Sequence, residues 1–477
     1  MQAIQEQEEK FEVDSDWVMP QLGELLPDGG EVSRDVWKLD NTYFDTPDAG
    51  LRLFGITLRR RVGGLETGWQ LKVPSGTART ELQSNWPTKT LPLPLATGVE
   101  GLLAGESLDA VASIVTTRTA FRLLNADGVP VLEIADDQVE AGPPDGEPTR
   151  HAWREVEVEL GPAGKKKDLK RARKLLHAAG ATPSTSRTKL DRALGPLPDG
   201  QASKLEAGTV GGLAAVYVAA QCDVLASNDV GMRTATPAVH KTRVAARRLR
   251  STLRMFGDVF TAAPADELDN ELSWYADLLG QVRDRDILGS RLTKRIAELP
   301  PEQVRGPVEA QITKTLTAER QEAVDRLEEA MRTPRYQHLV RLLRGWKTVP
   351  PLTDAADEKE KAAVKYAEKA KRKADKRLRK ADDDIEQLHR ARKATKRARY
   401  AAELVKPADS QMKTIAREAE KLQTLLGEHQ DAVVTAKFLA TISDADDDGA
   451  LEGGFTYGIL MANEWQRAAE IRAAIRK

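Results

Sequence analysis

The spacing of apolar residues changes once along this chain of 477 residues, and that change limits the folds open to it. Up to about Leu194 apolar and polar residues alternate, as in 153-WREVEVEL-160 and 69-WQLKV-73, the pattern of strands with one buried face. From Ala207 onward the spacing approaches 3.6, with Ala, Leu, Arg, Lys and Glu dominant, the pattern of packed helices. Between them Gly195 to Gly200 is rich in Pro and Gly and reads as a linker. Within the first half, helices are expected around Leu108 to Val115 and Asp168 to Ala179, and 143-PPDG-146 reads as a turn. Two domains follow, 1–198 and 203–477, in keeping with a chain too long for one core.

Composition excludes several classes. A lone cysteine, Cys222, rules out an intrachain disulfide and a thiolate zinc cluster, so any metal must use oxygen or His ligands. Met1 to Phe11 is polar and acidic, unlike a signal peptide, and no run approaches the roughly 20 apolar residues of a membrane span. A soluble, cytoplasmic protein is expected. The formal net charge of −1 would argue against a polyanion partner, but 30% of residues are charged and the signs are unevenly placed.

In a strand, alternate side chains point to opposite faces. Glu6, Glu8, Lys10 and Glu12 share one face, as do Arg59 and Arg61, then Gln70 and Lys72, then Arg79 and Glu81. Arg118 and Arg122 oppose Phe121 and Leu123; Glu133 and Asp137 oppose Leu132 and Ile134; Glu155, Glu157 and Glu159 oppose Val156, Val158 and Leu160. An antiparallel sheet with a solvated charged face would explain this. A closed sheet lined by separate cationic and acidic walls explains it too, and would take a polyanion together with its metal.

The succession 6-EQEEK-10, 43-YFDTP-47, 58-LRRR-61, 69-WQLK-72, 79-RTE-81, 133-EIADD-137, 155-EVEVEL-160 and 188-TKLDRA-193 resembles the CYTH domains, or triphosphate tunnel metalloenzymes, across nearly all of residues 1–194. The resemblance implies an eight-stranded antiparallel β-barrel tunnel with outer helices. It implies that Glu6, Glu8, Asp137, Glu157 and Glu159 ligate Mg²⁺ or Mn²⁺, hard ions that prefer carboxylate oxygen. Asp136 competes with Asp137, and parity with Glu133 favours Asp137. Lys10, Arg59, Arg61, Lys72, Arg79, Arg118 and Lys189 would grip the phosphates, with Glu6, Glu8, Lys10 and Lys72 central to catalysis. Each cation held about 4 Å from a phosphate charge contributes on the order of 4 kcal/mol at an effective dielectric near 20, so several are needed at once. No P-loop offers another nucleotide cradle.

The helical half repeats itself. His240 and His389 begin matching segments, 240-HKTRVAARRLR-250 and 389-HRARKATKRAR-399, and 278-LLGQVRD-284 matches 425-LLGEHQD-431. A duplicated helical bundle is expected. His240, Arg243, Arg247, Arg250 and Arg254 recur at steps of three and four, on one helix face, and His389, Arg392, Lys396 and Arg399 repeat the construction. Like charges at these spacings repel unless an anion offsets them. These motifs resemble the CHAD domain, the conserved-histidine α-helical domain. The resemblance implies inorganic polyphosphate binding through His240, Arg243, Arg247, Arg250, His389, Arg392, Lys396, Arg397 and Arg399, with Arg283 and His429 as further candidates. Asp284 and Asp431 read as anchors for arginines. Gln430 stands where the first repeat has Arg283, so the two ends of such a site would differ. The basic segment 359–380 either extends the anion surface or forms a solvated helix. Nucleic acid is disfavoured because no aromatics interleave with the basic stripes for base stacking.

The expected molecule is therefore an α+β multidomain protein that hydrolyses inorganic triphosphate or polyphosphate ends with Mg²⁺ or Mn²⁺ and binds polyphosphate. Its alternatives are a non-catalytic, granule-associated polyphosphate binder and a class IV adenylate cyclase or thiamine triphosphatase.

Overall fold

The computed structural model describes residues 2–64, 66–76, 78–144, 151–197, 208–234, 238–382, 384–445 and 450–476. The expected domain boundary between 198 and 203, and the second half of the turn 143–146, lie outside the described residues. The chain divides into two compact units, Met1–Gly200 with Asp229–Thr236, and Gln201–Asn228 with Pro237–Lys477.

The first unit is an antiparallel sheet. Its strands are β1 (Gln2–Glu6), β2 (Glu8–Val13), β3 (Glu31–Asp45), β4 (Thr57–Val62), β5 (Gly68–Ser75), β6 (Ala78–Ser84), β7 (Asp109–Leu124), β8 (Pro130–Gly142), β9 (His151–Leu160) and β10 (Thr182–Pro183). They pair in the order β1-β6-β5-β4-β3-β7-β8-β9-β2-β10. The count is ten rather than the expected eight. The first extended segment breaks at Gln7: before the break Glu6 pairs with Arg79, and after it Glu8 pairs with Glu159. One segment thus changes partner and joins the two ends of the sheet. β10 is a two-residue addition beside β2.

Three helices accompany the sheet, α1 (Leu93–Leu103), α2 (Lys166–Ala178) and α3 (Lys189–Leu194). An apolar core lies outside the sheet, where Phe11, Leu123, Leu132, Ile134, Val156 and Val158 pack against Leu169, Ala172 and Leu176 of α2. Burying the apolar parity outward leaves the charged parity facing inward. The helix expected at Leu108 to Val115 is instead the start of β7. Its β-branched Val111, Ile114 and Val115 suit a strand, and pairing with both β3 and β8 satisfies its backbone. The helix of that region is α1, entered directly after Pro92 with Pro94 in its first turn.

The second unit is all helical: α4 (Val210–Arg233), α5 (Val239–Met255), α6 (Ala262–Ala297), α7 (Val308–Ala330), α8 (Pro334–Thr348), α9 (Val364–Arg379), α10 (Ile385–Val405), α11 (Met412–Ala445) and α12 (Ala450–Arg476). α4 runs into the first unit at its C-terminal end. The repeated motifs lie on α5 and α6 and again on α10 and α11, and α5 packs on α6 as α10 packs on α11, with α5 also against α10. Leu249, Leu253 and Phe256 of the first copy are buried beneath the basic stripe. Among the described residues α4 is the one helix long and apolar enough to cross a membrane, and 56% of its apolar window is buried inside the protein, as a core helix is.

Candidate functional site

A cavity of about 610 Å³ runs inside the sheet and takes its lining from every strand except β10. One end is apolar: Leu190 of α3 packs among Tyr43, Ala112, Ile114, Val139 and Ala141. Much of the rest is charged, with Arg59 and Arg61 on one side and Glu6, Glu8, Glu157 and Glu159 on another, where Arg79 and Arg118 pair with them. On the β3–β4–β5 side Arg59 donates to Gln70 at 2.7 Å and to the Tyr43 hydroxyl at 3.1 Å, both neutral side chains. Arg61 donates to Asn41 at 3.0 Å and pairs with Glu66 at 3.2 Å. Burial and the neighbouring charges of Arg59 and Arg118 lower Arg61 to about 10. The two guanidiniums are buried side by side with mostly neutral hydrogen-bond partners; burial works against the charge of Arg59, and Tyr43, Glu81 and Glu6 hold it up.

The opposite wall carries carboxylates of β1, β2, β8 and β9. Glu6 accepts from Lys72 at 2.7 Å, and Lys72 also pairs with Glu81 at 2.8 Å. Glu8 lies 3.5 Å from both Lys10 and Arg79. Glu159 forms no hydrogen bond or ion pair among the described residues; burial first and the charge of Glu6 second push it up to about 8. Glu6 itself is pushed up to about 7, chiefly by burial against the pull of Lys72. Glu6 and Glu159, raised by burial, are short of positive charge, whereas Lys10, Lys72 and Arg79 outweigh burial and hold Glu8 below the ordinary carboxylate value; all three offer the oxygen donors that a divalent cation prefers.

A second acidic group sits deeper. Oxygens of Asp137, Glu155 and Glu157 all lie within 4.8 Å of one another, close enough to hold a metal. Arg118 meets Asp137 through two bonds of 2.8 and 2.6 Å and Glu157 through a third of 2.6 Å. Lys189 reaches all three carboxylates, at 2.9, 2.7 and 2.8 Å. Burial works against its charge, yet Asp137, Glu157 and Glu155 outweigh burial and hold its pKa above the ordinary lysine value. Lys10 also donates to Glu157, at 2.7 Å.

The sequence candidates Glu6, Glu8, Lys10, Arg59, Arg61, Lys72, Arg79, Arg118, Glu157, Glu159 and Lys189 all line one cavity. Asp137 is fully buried behind it, bonded to Arg118, whereas Asp136 points outward to Arg154 at 2.8 Å, as parity with Glu133 requires. Sequence reasoning left Glu155 out of the acidic group, although its parity with Glu157 was available. It also left out Asn41, Tyr43 and Gln70, whose neutral side chains orient the two arginines. Arg122 and Glu133, paired at 2.9 Å, lie at the other end of the cavity from α3, with the Arg122 guanidinium 4.9 Å from the Trp37 ring.

In the helical unit the basic residues divide into two groups. Arg243, Arg247, Arg392 and Lys396 gather where α5 meets α10. Arg243 donates to Asp284 at 3.1 Å, while the Nε atoms of Arg247 and Arg392, and of Arg283 nearby, are buried with no hydrogen bond. Burial, Arg392, Arg247 and Arg243 together lower Lys396 to about 6. Gly280 and Gly427 stand at equivalent repeat positions beneath Arg243 and Arg392, so each arginine crosses the neighbouring helix where no Cβ obstructs it. His240 feels Arg283, Arg247 and Arg243, whereas His389 Nδ1 lies 2.9 Å from Gln430 Oε1, so the two ends differ.

Arg250 and Arg254 instead share Asp269, with Arg397 beside them. Arg399 is held by Glu403 and Glu420. His429 is buried against Arg472, at the position where the first repeat has the core residue Val282, and stands apart from the basic group. On α9, Tyr366, Ala367, Ala370 and Ala374 face inward and the lysines outward, with Lys365 paired to Glu358 and Arg372 to Glu368.

The CYTH domain model matches residues 6–194 and the CHAD domain model residues 216–440. An uncharacterized protein of Mycobacterium tuberculosis strain H37Rv is 32% identical over 506 residues, spanning 99% of this chain and 96% of that protein. Among solved structures, PptA from Streptomyces chartreusis is 21% identical with a TM-score of 0.48, covering 56% of this chain and 98% of that one. HpAC1 from Hippeastrum, described as having a dominant triphosphatase activity, is 16% identical with a TM-score of 0.25, covering 41% and 98%.

Proposed function

Because this chain belongs to the family of proteins that join a CYTH domain to a CHAD domain, we propose that it hydrolyses inorganic triphosphate or polyphosphate ends in its barrel and binds inorganic polyphosphate with its helical unit. The observation that carries the hydrolytic reading is one cavity inside the sheet lined by Arg59 and Arg61 on β4 and by Glu6, Glu8, Glu157 and Glu159 on β1, β2 and β9, with Arg79 and Arg118 paired to the carboxylates.

Glu6, Glu8 and Glu159 would hold Mg²⁺ or Mn²⁺, and that ion supplies charge neutralisation at the phosphate oxygens. Arg59 and Arg61 bind the chain of phosphates with paired N–H donors, a geometry that suits planar bidentate contacts. Lys72, Lys10 and Arg79 sit between the walls, already touching Glu6, Glu157 and Glu8, so they can shift part of their bonding to an arriving phosphate without crossing the cavity. Phosphoryl transfer asks a protein mainly for positioning and electrostatic stabilisation, and this lining offers both. Leu190 and its neighbours close the apolar end, which restricts bulk water to the other side. For polyphosphate, support comes from the α5–α10 cluster, whose buried guanidinium nitrogens lack partners and whose lysine is strained toward neutrality.

The test is one assay panel. Triphosphate, long-chain polyphosphate, ATP and thiamine triphosphate are compared with Mg²⁺ and Mn²⁺ on the wild type and on the double variant Glu6→Ala/Glu8→Ala. Metal-dependent phosphate release from triphosphate, reduced about 100-fold or more in the variant, is the expected result. Cyclic AMP from ATP would assign the barrel to the cyclase branch, preference for thiamine triphosphate would assign it to that hydrolase, and equal turnover by the double variant would sink the site altogether.

A further inference from the structure

The two arginines of β4 stand at different depths in the cavity. Arg59 lies opposite Tyr43, which packs against Leu190 of α3, whereas Arg61 lies opposite Asn41, one step farther from that helix. Arg61 also belongs to the last residue pair before the turn between β4 and β5. From that turn Glu66 reaches back into the cavity lining, where its Oε2 accepts from both Arg61 Nη1 and Gln70 Nε2, each at 3.2 Å. We infer that Glu66 is a built-in stand-in for phosphate: its carboxylate occupies the place of the outermost phosphate on Arg61 and Gln70, and an arriving triphosphate must displace it. This rests on the proposed phosphate-binding role of Arg59 and Arg61 and deepens it, by naming the residue with which the outermost phosphate competes.

Three observations bear on it. The first is the convergence itself: a guanidinium N–H and an amide N–H directed at one anionic oxygen form the arrangement that a phosphate oxygen takes up on the same side chains. Gln70 ties this point to the rest of the run, because its Oε1 accepts from Arg59 Nε at 2.7 Å while its amide donates to Glu66. The second is unequal burial. Arg61 is 8% and Gln70 2% exposed, whereas the Glu66 side chain is 48% exposed. The donors are fixed in a shielded site and the acceptor borders on water, so the carboxylate is the partner that can leave and be solvated again. The third is charge balance. Arg61 Nε donates to the neutral Asn41 at 3.0 Å, and among the described residues Glu66 is the one carboxylate that pairs with Arg61. A buried guanidinium stripped of its counter-charge is costly, so the empty barrel keeps one there and a bound phosphate can take over its part. The turn itself is fastened by Thr67, whose hydroxyl accepts from Gly63 N–H at 3.2 Å. A residue that only held Arg61 in place would help substrate bind, whereas a stand-in opposes it, so the two roles predict opposite signs.

The experiment measures inorganic triphosphate binding to the full-length chain by calorimetry, without divalent metal so that no turnover occurs. All chains carry Arg247→Met/Arg392→Met, which keeps the helical unit from dominating the signal. Glu66→Gln and Glu66→Ala are compared with the parent and with Asp35→Asn, and melting temperatures check that each is folded. Asp35 pairs with Arg122 at 3.2 Å, at the end of the cavity away from α3, so its variant reports the general effect of losing a negative charge there. Both Glu66 variants are expected to bind triphosphate about tenfold more tightly than the parent, the order of one charge-assisted hydrogen bond that no longer has to be broken. Asp35→Asn should stay within about twofold of the parent, as expected for a half-exposed ion pair. Weaker or unchanged binding in either Glu66 variant, or equal tightening in Asp35→Asn, would overturn the inference. Metal-dependent hydrolysis by a chain whose Glu66 variants bind no tighter would keep the hydrolytic reading and lose this one. Tighter binding in a chain that shows no turnover would do the reverse, and triphosphate binding by none of the chains would overturn both.

Discussion

Lys396 shows most directly what a repeated basic stripe does to a single residue. Burial removes water from its ammonium, and Arg392, Arg247 and Arg243 repel it, with Asp431 alone among the named neighbours pulling the other way. With a folded value of about 6 against 10.5 for an ordinary lysine, the unfolded chain binds the extra proton between those limits. Stability therefore rises with pH across that window through this group, and its cost is present in full below about pH 6. A bound polyanion reverses the balance by restoring the charged form. We predict that long-chain polyphosphate takes up close to one proton per chain at pH 7.5, measured by calorimetry in two buffers of different ionisation enthalpy. Lys396→Met should reduce that uptake, leaving only what His240 and His389, also held below the ordinary histidine value by burial, contribute. Uptake unchanged in the variant would show that the polyanion binds elsewhere.

At the scale of elements, the glycine of each LLG motif explains how two helices can cross with an arginine between them. A Cβ on Gly280 would lie 3.1 Å from Arg243 Nη2, whereas one on Gly427 would lie 3.8 Å from Arg392 Nη2. The first is tighter than ordinary contact and the second is not. Ala is favoured over Gly inside a helix by up to about 1 kcal/mol. Gly427→Ala should therefore stabilise the protein by about 0.5–1 kcal/mol and leave polyphosphate affinity alone. Gly280→Ala should gain less and displace Arg243 from Asp284, lowering affinity about fivefold, the worth of one hydrogen bond of about 1 kcal/mol. Thermal melts and polyphosphate titrations on both variants check the asymmetry, and equal behaviour would refute it. In the barrel the corresponding element is the first extended segment, whose break at Gln7 lets one run of residues serve two neighbours and places Glu6 and Glu8 on the same interior face.

On the scale of the whole molecule, the chain passes between its two units three times, because Asp229–Thr236 belongs with the first unit while lying inside the sequence of the second. A truncation near residue 198 would take that segment from the barrel unit, so substitution separates the two activities more cleanly than cutting does. Arg247→Met/Arg392→Met should leave hydrolysis of triphosphate within twofold of wild type and weaken long-chain polyphosphate binding. The slope of log affinity against log salt should become shallower by about 1 for each cation removed. If the helical unit presents chains to the barrel, hydrolysis of long polyphosphate falls along with binding. Long-chain turnover that stays level while binding falls would show two independent activities on one chain.

Period and parity alone determined much of this protein. The change from alternating to helical spacing separated sheet from helices, the repeat put His240 and His389 at equivalent positions, and alternation placed Glu6, Glu8, Arg59, Arg61, Lys72 and Asp137 on one face of their strands. Local pattern suffices there because side-chain direction is set by backbone geometry within a few residues. It failed at Leu108 to Val115, where an eight-residue stretch carries too little signal against pairing with two distant strands, and it could not count the strands, since the break at Gln7 depends on which neighbour each half meets. Only the tertiary structure decided that the charged face turns inward, that Glu155 joins Asp137 and Glu157, and that Lys189 lies among them. Those facts rest on residues of separate strands and a helix meeting in a site shielded from water, where a charge is stable only beside its opposite, and no short window of sequence records which opposite that will be.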